Sequence, residues 1–280
     1  MMARLLVENQ LINSILVGKE ARANDMSLEN DANFVSKATS ISNVAQEKGV
    51  VLRLLGAIAF RIHCPKYEHL HKALGRTISD MDFVGYSKQK GQIEKLLTGL
   101  GYVKRMPSLV TYYSYRDIYQ DPSSENFVMD IFFDKLQMCH DIDFKNRLEV
   151  DNPTIPVAEL LLQKLQIVQL TEKDVKDLIV LMREHEVADH DKEAVNLPYI
   201  SKILANDWGF YYTATTNLKK LGELLNSFDK VTEEDKLDVK GKIDKTLQSI
   251  ENEPKTFSWK MRARVGPSKK WYREVEVTTA

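Results

Sequence analysis

The chain has 280 residues, 28% of them charged and 43% hydrophobic, with a formal net charge of -1. That length allows one large domain or two modest ones, and the near-zero charge excludes a nucleic-acid-binding polycation, so any basic surface has to be local. The two cysteines, Cys64 and Cys139, belong to no CxxC pair, which argues against a zinc site or a disulfide framework and for free thiols in a reducing cytoplasm. No run approaches the ~20 apolar residues a membrane span needs.

Residues 3–18 read as a short amphipathic helix. Glu8, Asn9, Gln10 and Asn13 interrupt it, so it is no signal peptide. Residues 20–33 form a polar connection, and 1–33 together are taken as an N-terminal helix and linker. Phe34 to Lys48 reads as a helix with Phe34, Val35, Ile41 and Val44 on its apolar side. Val50 to Leu55 reads as a buried strand, Gly56 follows, and Ala57 to Ile62 resumes as a helix. Such a turn presents backbone N–H groups and the positive end of a helix dipole, a cradle for phosphate, although most strand-glycine-helix turns hold nothing. His63 to Gly75 is a polar connection whose three histidines, His63, His69 and His71, read as loop residues rather than ligands.

Arg76 leads into Asp80-Met81-Asp82-Phe83-Val84. On a strand Asp80 and Asp82 share one face, while Met81 and Phe83 take the other. Two ionised carboxylates side by side repel unless a cation sits between them, and Mg²⁺ with its hard oxygen ligands suits that place. Ser87 to Leu100 is an amphipathic helix ended by Gly101. The tyrosine-rich stretch from Val103 to Ile118 alternates as strands do, and 121–126 is a turn. Phe127 to Phe133 is a further strand, and its Asp130 can join Asp80 and Asp82 if the two strands are neighbours. Asp134 shares the parity of Asp130 but lies at a solvated strand end. Asp141 and Asp143 read as a loop or hairpin.

Residues 151–154 look like a boundary between a unit at 34–150 and a helical unit at 151–254. Pro156 suits the first turn of a helix striped by Leu160, Leu161, Leu165 and Val168. Lys164 falls inside that stripe, where a lysine must snorkel, pair with an acid or face a ligand. Thr171 to Asp174 opens the next helix with capping-box spacing, so Asp174 has a plain structural role available, with Asp177 one turn on. Residues 187–196 are a charged connection. Helices then run from Leu197 to Leu225, broken at Asp207-Trp208-Gly209, and from Thr232 to about Glu251. Between Lys255 and Arg273 there are seven Lys or Arg and no Asp or Glu, interleaved with Phe257, Trp259, Trp271 and Tyr272. This basic aromatic segment, 255–280, suits a nucleic-acid backbone with stacked bases; the alternative is a short hairpin packed on the body with a solvated basic face.

The order of glycine turn, Asp-x-Asp and third carboxylate resembles the nucleotidyltransferase superfamily. The spelling Gly56, Ala59, His63, Arg76, Asp80, Asp82 is similar to the AbiE-type abortive-infection toxin branch. So is Lys164 followed by Lys173-Asp174-Val175-Lys176-Asp177. The match covers about residues 50–182. It implies an α+β fold with a mixed sheet, flanking helices and a following helical domain. It also implies an enzyme that moves an NMP from an NTP to an acceptor hydroxyl on RNA or protein with two Mg²⁺ ions. Asp80, Asp82 and Asp130 would hold the metals, Asp130 also activating the acceptor. Gly56 and Ala57 would cradle phosphates, Arg76 and Lys164 would add positive charge near the nucleotide, and Asp174 would serve the acceptor side or orient Lys164. An antitoxin partner is implied by the resemblance alone. Family members usually carry Gly-Ser or Gly-Gly at the turn, and Ala57 removes the serine hydroxyl. A catalytically silent nucleotide- or partner-binding module of the same fold is therefore the competing reading, and an antibiotic-modifying nucleotidyltransferase is a third.

Overall fold

The computed structural model describes residues 31–105, 116–123 and 127–275; the expected helix at 3–18 lies outside them. Helix α1, at 31–47, places Phe34, Ala38, Ile41 and Ala45 in the core at helical spacing. Strand β1 (Leu52–Leu55) is buried at every position, Arg53 included, whose Nε–H donates to Leu148 O at 2.8 Å. Helices α2 (Gly56–His63) and α3 (Glu68–Ala73) follow. The second falls in the stretch read as a loop: six residues are too few to display a period, yet its Leu70 and His71 are buried.

Strands β2 (Met81–Gly85), β3 (Val103–Lys104), β4 (Arg116–Gln120) and β5 (Val128–Phe133) complete the main sheet with β1, in the order β1-β2-β5-β4-β3. Helix α4 (Lys90–Gly99) lies in the crossover between β2 and β5, the parallel pair, while β1–β2, β4–β5 and β3–β4 are antiparallel. Strands β6 (Lys135–Gln137) and β7 (Asp141–Asp143) form the expected hairpin around Asp141 and Asp143. The stretch 151–154, read as a boundary, runs with Ile155 along the free edge of β1. Leu54 N–H donates to Pro153 O at 2.9 Å and Ile155 N–H to Leu54 O at 2.9 Å, covering an edge that would otherwise stay unpaired.

The remainder is mainly helical: α5 (Val157–Leu165), α6 (Glu172–Glu184), α7 (Leu197–Leu204), α8 (Trp208–Leu224), α9 (Glu233–Asn252) and α10 (Phe257–Val265). The protein is thus α+β, a mixed sheet with flanking helices followed by a helical region. The charged connection at 187–196 contains a short parallel pair instead, β8 (Glu186–Ala188) on β9 (Ala194–Asn196), with too few residues to show alternation. Helix α9 packs on α6, α7 and α8, and α2 packs on β1, β2, α5 and α6, which joins the sheet to the helices. Among the described residues no helix is long and apolar enough to cross a membrane.

Within the basic aromatic segment residues 257–265 form a helix rather than one arm of a hairpin. Its Trp259 meets the Tyr211 ring edge-on at 5.0 Å, and Trp271 meets Tyr212 at 5.1 Å while donating Nε1–H to Thr213 Oγ1 at 3.0 Å. Arg262 stacks over Trp208 at 4.6 Å. Two of the four aromatic rings, Trp259 and Trp271, therefore dock the segment on α8, Tyr272 packs on Trp271, and Phe257 is 78% exposed.

Candidate active site

The site is built by strand register. Because β2 and β5 are parallel and adjacent, Asp82 lies directly beside Asp130, and residues opposite one another share a face of the sheet. Asp80 precedes Asp82 by two positions, at the exposed entrance to β2. On the other side Asp82 is opposite Leu55, the last residue of β1, so α2 begins against the carboxylate.

Gly56 makes that approach possible. It sits at φ +67°, and a Cβ placed on it would lie 2.2 Å from Asp82 Oδ2, so no larger residue fits without moving the acid. Its N–H donates to Gln163 Oε1 at 3.1 Å, so the first amide of the turn is already partnered from α5. Ala57 follows inside α2, half-buried.

Burial, and then the charges of Asp80 and Asp130, push the Asp82 carboxyl well above the usual carboxylate range, against the opposing pull of Lys164 and Arg116. Burial raises Asp130 as well; Arg116 opposes it, with Nη1 donating to Asp130 Oδ2 at 2.9 Å, and Asp80 reinforces it. Three carboxylates thus gather at one end of the sheet; of the two cations that act on Asp82, Arg116 pairs with Asp130 inside this group and Lys164 is held by acids of α6. Carboxylate oxygens suit a hard divalent cation, although those of Asp80, Asp82 and Asp130 do not all lie within 4.8 Å of one another as the groups stand.

The remaining expected site residues form a second cluster. Arg76 donates Nε–H to Asp177 Oδ1 at 2.9 Å and Nη2–H to Asp177 Oδ2 at 3.0 Å, a two-pronged pair with both partners buried. Lys164 Nζ lies 2.9 Å from Asp177 Oδ2 and 2.9 Å from Asp174 Oδ1. Asp174 also closes a capping box, its Oδ2 accepting from Thr171 N–H at 3.0 Å. Burial alone would raise both acids; Lys164, joined at Asp177 by Arg76, outweighs it and holds them low. For Lys164 burial works downward and the two acids more than reverse it. Two cations against two anions make this cluster internally neutral. It still acts on Asp82, because the Lys164 charge opposes the rise of that carboxyl.

The sheet therefore sets Asp82 beside Asp130, with Gly56 against Asp82 and Asp80 at the exposed entrance, while Arg76, Lys164 and Asp174 meet through Asp177. Two contributors lie beyond the reach of the sequence pattern: Gln163, which occupies the Gly56 amide, and Arg116, which holds Asp130. Arg116 is two positions from Ile118, the residue opposite Asp130. A cation at that parity becomes a usable signal only once the strand order is known.

No protein-family model matches the chain. The search of curated proteins also found no match. Among solved structures the chain is similar to the antibiotic-resistance factor ANT(2'')-Ia, at 11% identity and a TM-score of 0.31, over 79% of this chain and 96% of that one. A likeness at that score carries no functional argument, and the functional reading rests on the geometry of the aspartate cluster.

Proposed function

We propose that the chain is a nucleotidyltransferase that moves an NMP from an NTP to an acceptor hydroxyl with Mg²⁺. The observation that carries this is the register of β2 and β5, which sets Asp82 beside Asp130 against a glycine with no room for a side chain. Asp82 and Asp130 would hold the metal ions, with Asp80 reaching them from the entrance. Mg²⁺, when bound, would neutralise the triphosphate and charge developing on the attacking and leaving oxygens. Asp130, kept basic by burial and oriented by Arg116, takes the acceptor proton. The acceptor oxygen then bonds to the α-phosphorus, the bond from that phosphorus to the bridging oxygen breaks, and pyrophosphate leaves. The amides after Gly56 face the phosphates; the Gly56 amide itself would have to exchange Gln163 for phosphate. Lys164, held by Asp174 and Asp177, acts on the site at a distance, and Asp174 orients it.

The acceptor in this reading is RNA or a protein, and the order of motifs supports a toxin with an antitoxin partner in a phage-defence setting. A catalytically silent, nucleotide- or partner-binding module is favoured by one observation: Arg76 and Lys164 are neutralised by Asp174 and Asp177, so neither offers a free charge to a triphosphate. Incubation with each α-labelled NTP, Mg²⁺ and total RNA or protein extract separates the two. Transfer of label that is lost in Asp82→Asn supports the enzyme. Mg²⁺-dependent NTP binding without transfer to any extract supports the silent module.

A further inference from the structure

A second cluster of potential ligands lies at the junction of sheet and helices. His63 is the last residue of α2, His185 is the C-cap of α6, and Glu193 is on the turn before β9 at φ 47°. One nitrogen of each imidazole and a carboxylate oxygen of Glu193 lie within 4.8 Å of one another. Both histidines are buried, with ring centroids 5.8 Å apart.

The hydrogen bonds assign the tautomer of His63. His63 Nε2 lies 3.1 Å from Ile155 O, which can only accept, so Nε2 carries the proton. Thr154 Oγ1 at 2.6 Å and Asp151 Oδ2 at 3.4 Å surround the same nitrogen. In the neutral ring the lone pair is then on Nδ1, which faces Glu193 Oε2 at 3.2 Å. Two acceptors at that distance repel unless a proton or a metal ion lies between them. His185 Nδ1 lies 3.0 Å from Glu193 O and 3.9 Å from Glu193 Oε2, while its Nε2 is buried and without a partner among the described residues. A proton on His63 would settle the contact with Glu193 but do nothing for His185. A metal ion can use both rings and the carboxylate.

We propose that His63, His185 and Glu193 form a binding site for a transition-metal ion of the zinc class. Two imidazoles and one carboxylate are a ligand set that selects Zn²⁺ or Co²⁺ over Mg²⁺, with a fourth position open to water. The contacts of His63 Nε2 with Ile155 O and Asp151 supply the outer hydrogen bonds that orient a ligating imidazole. Glu193 is the adjustable member, its side chain 63% exposed, so it can close on the ion while the rings stay fixed. The ion would tie the end of α2 to the end of α6 and the β8–β9 turn.

The test uses the tag-free full chain, stripped with chelator and titrated with Co²⁺ in excess Mg²⁺, so that the aspartate cluster is saturated. One Co²⁺ per chain, with the visible absorption of a nitrogen-and-oxygen site and displaced by Zn²⁺, is expected. Glu193→Gln and His185→Gln should each weaken binding by about tenfold or more. Asp82→Asn should leave it unchanged, and Zn²⁺ should raise Tm in the wild type only relative to those two variants. Glu193→Gln changes an exposed side chain and so serves if His185→Gln fails to fold. Absence of stoichiometric Co²⁺ binding, its persistence in Glu193→Gln, or its loss in Asp82→Asn overturns the proposal.

Discussion

Substituting Gly56 by alanine tests whether the glycine is there for its backbone or for the carboxylate beside it. The substitution carries two costs. An L-residue held at φ +67° costs about 1–2 kcal/mol, a fall in Tm of roughly 2–8 °C for a chain of this size. The added Cβ would also lie 2.2 Å from Asp82 Oδ2, whereas ordinary contact starts at 3.4 Å, so the carboxylate must retreat by an ångström or more. Misplacement on that scale costs ~100-fold in rate at a site that works by positioning. Gly75 supplies the control, since it sits at φ +64° with nothing within 4 Å of a new Cβ. Gly75→Ala should lose similar stability and keep NTP turnover; Gly56→Ala should lose turnover by ~100-fold as well. Melting curves and label transfer at saturating Mg²⁺ read the two effects separately. Equal turnover in the two variants would refute the placement of Asp82 in the reacting site.

Asp82→Asn should raise Tm in Mg²⁺-free buffer and abolish transfer when Mg²⁺ is present. A carboxyl whose folded pKa is raised loses the protein stability as pH climbs above its unfolded value, near 3.8, towards the folded one, and the amide escapes that loss. Thermal melts from pH 4 to 8 check this, and a variant less stable than wild type near neutrality would count against the carboxylate crowding. Asp177→Asn leaves buried Arg76 and Lys164 short of an anion and should cost about 3–5 kcal/mol in denaturant unfolding. Asp177 is held low, so its contribution is present above the ordinary carboxylate pKa and is lost as pH falls through the folded one; the acid limb of the wild-type stability curve should be the steeper. Arg116→Ala removes the cation that opposes the rise of Asp130, so the acid limb of the transfer rate should move to higher pH; an unchanged profile would separate Asp130 from the rate. Trp271→Ala removes the edge contact with Tyr212 and the bond to Thr213, and trypsin should cut between Lys260 and Arg273 several times faster without a change in global Tm.

Much of the frame was legible because it depends on local pattern. The apolar run of β1, the stripe of α4 and the Thr171–Asp174 capping box are short-range features, and each is found where its spelling placed it. The docking of the C-terminal aromatics was not legible, since a solvated basic face and a docked helix can share one composition. The histidines were illegible for a related reason: His63, read as a loop residue, ends α2, and the groups that face it, His185 and Glu193, are more than a hundred residues away.

Sequence alone determined that a carboxylate, Asp82, lies within an apolar strand between inward-facing Met81 and Phe83, because side chains alternate with a period of two; Asp80, expected on the same strand, precedes it. It also determined that a glycine begins the helix before them. Only the tertiary structure decided that Asp130 is the residue beside Asp82, since strand order and register are set by burial of the whole sheet. The same holds for Arg76 and Lys164. Residue type gave both their charge and the helical stripe set Lys164 among apolar side chains, but pairing in space with Asp177 decided that the charge is spent on an acid of α6 rather than left open.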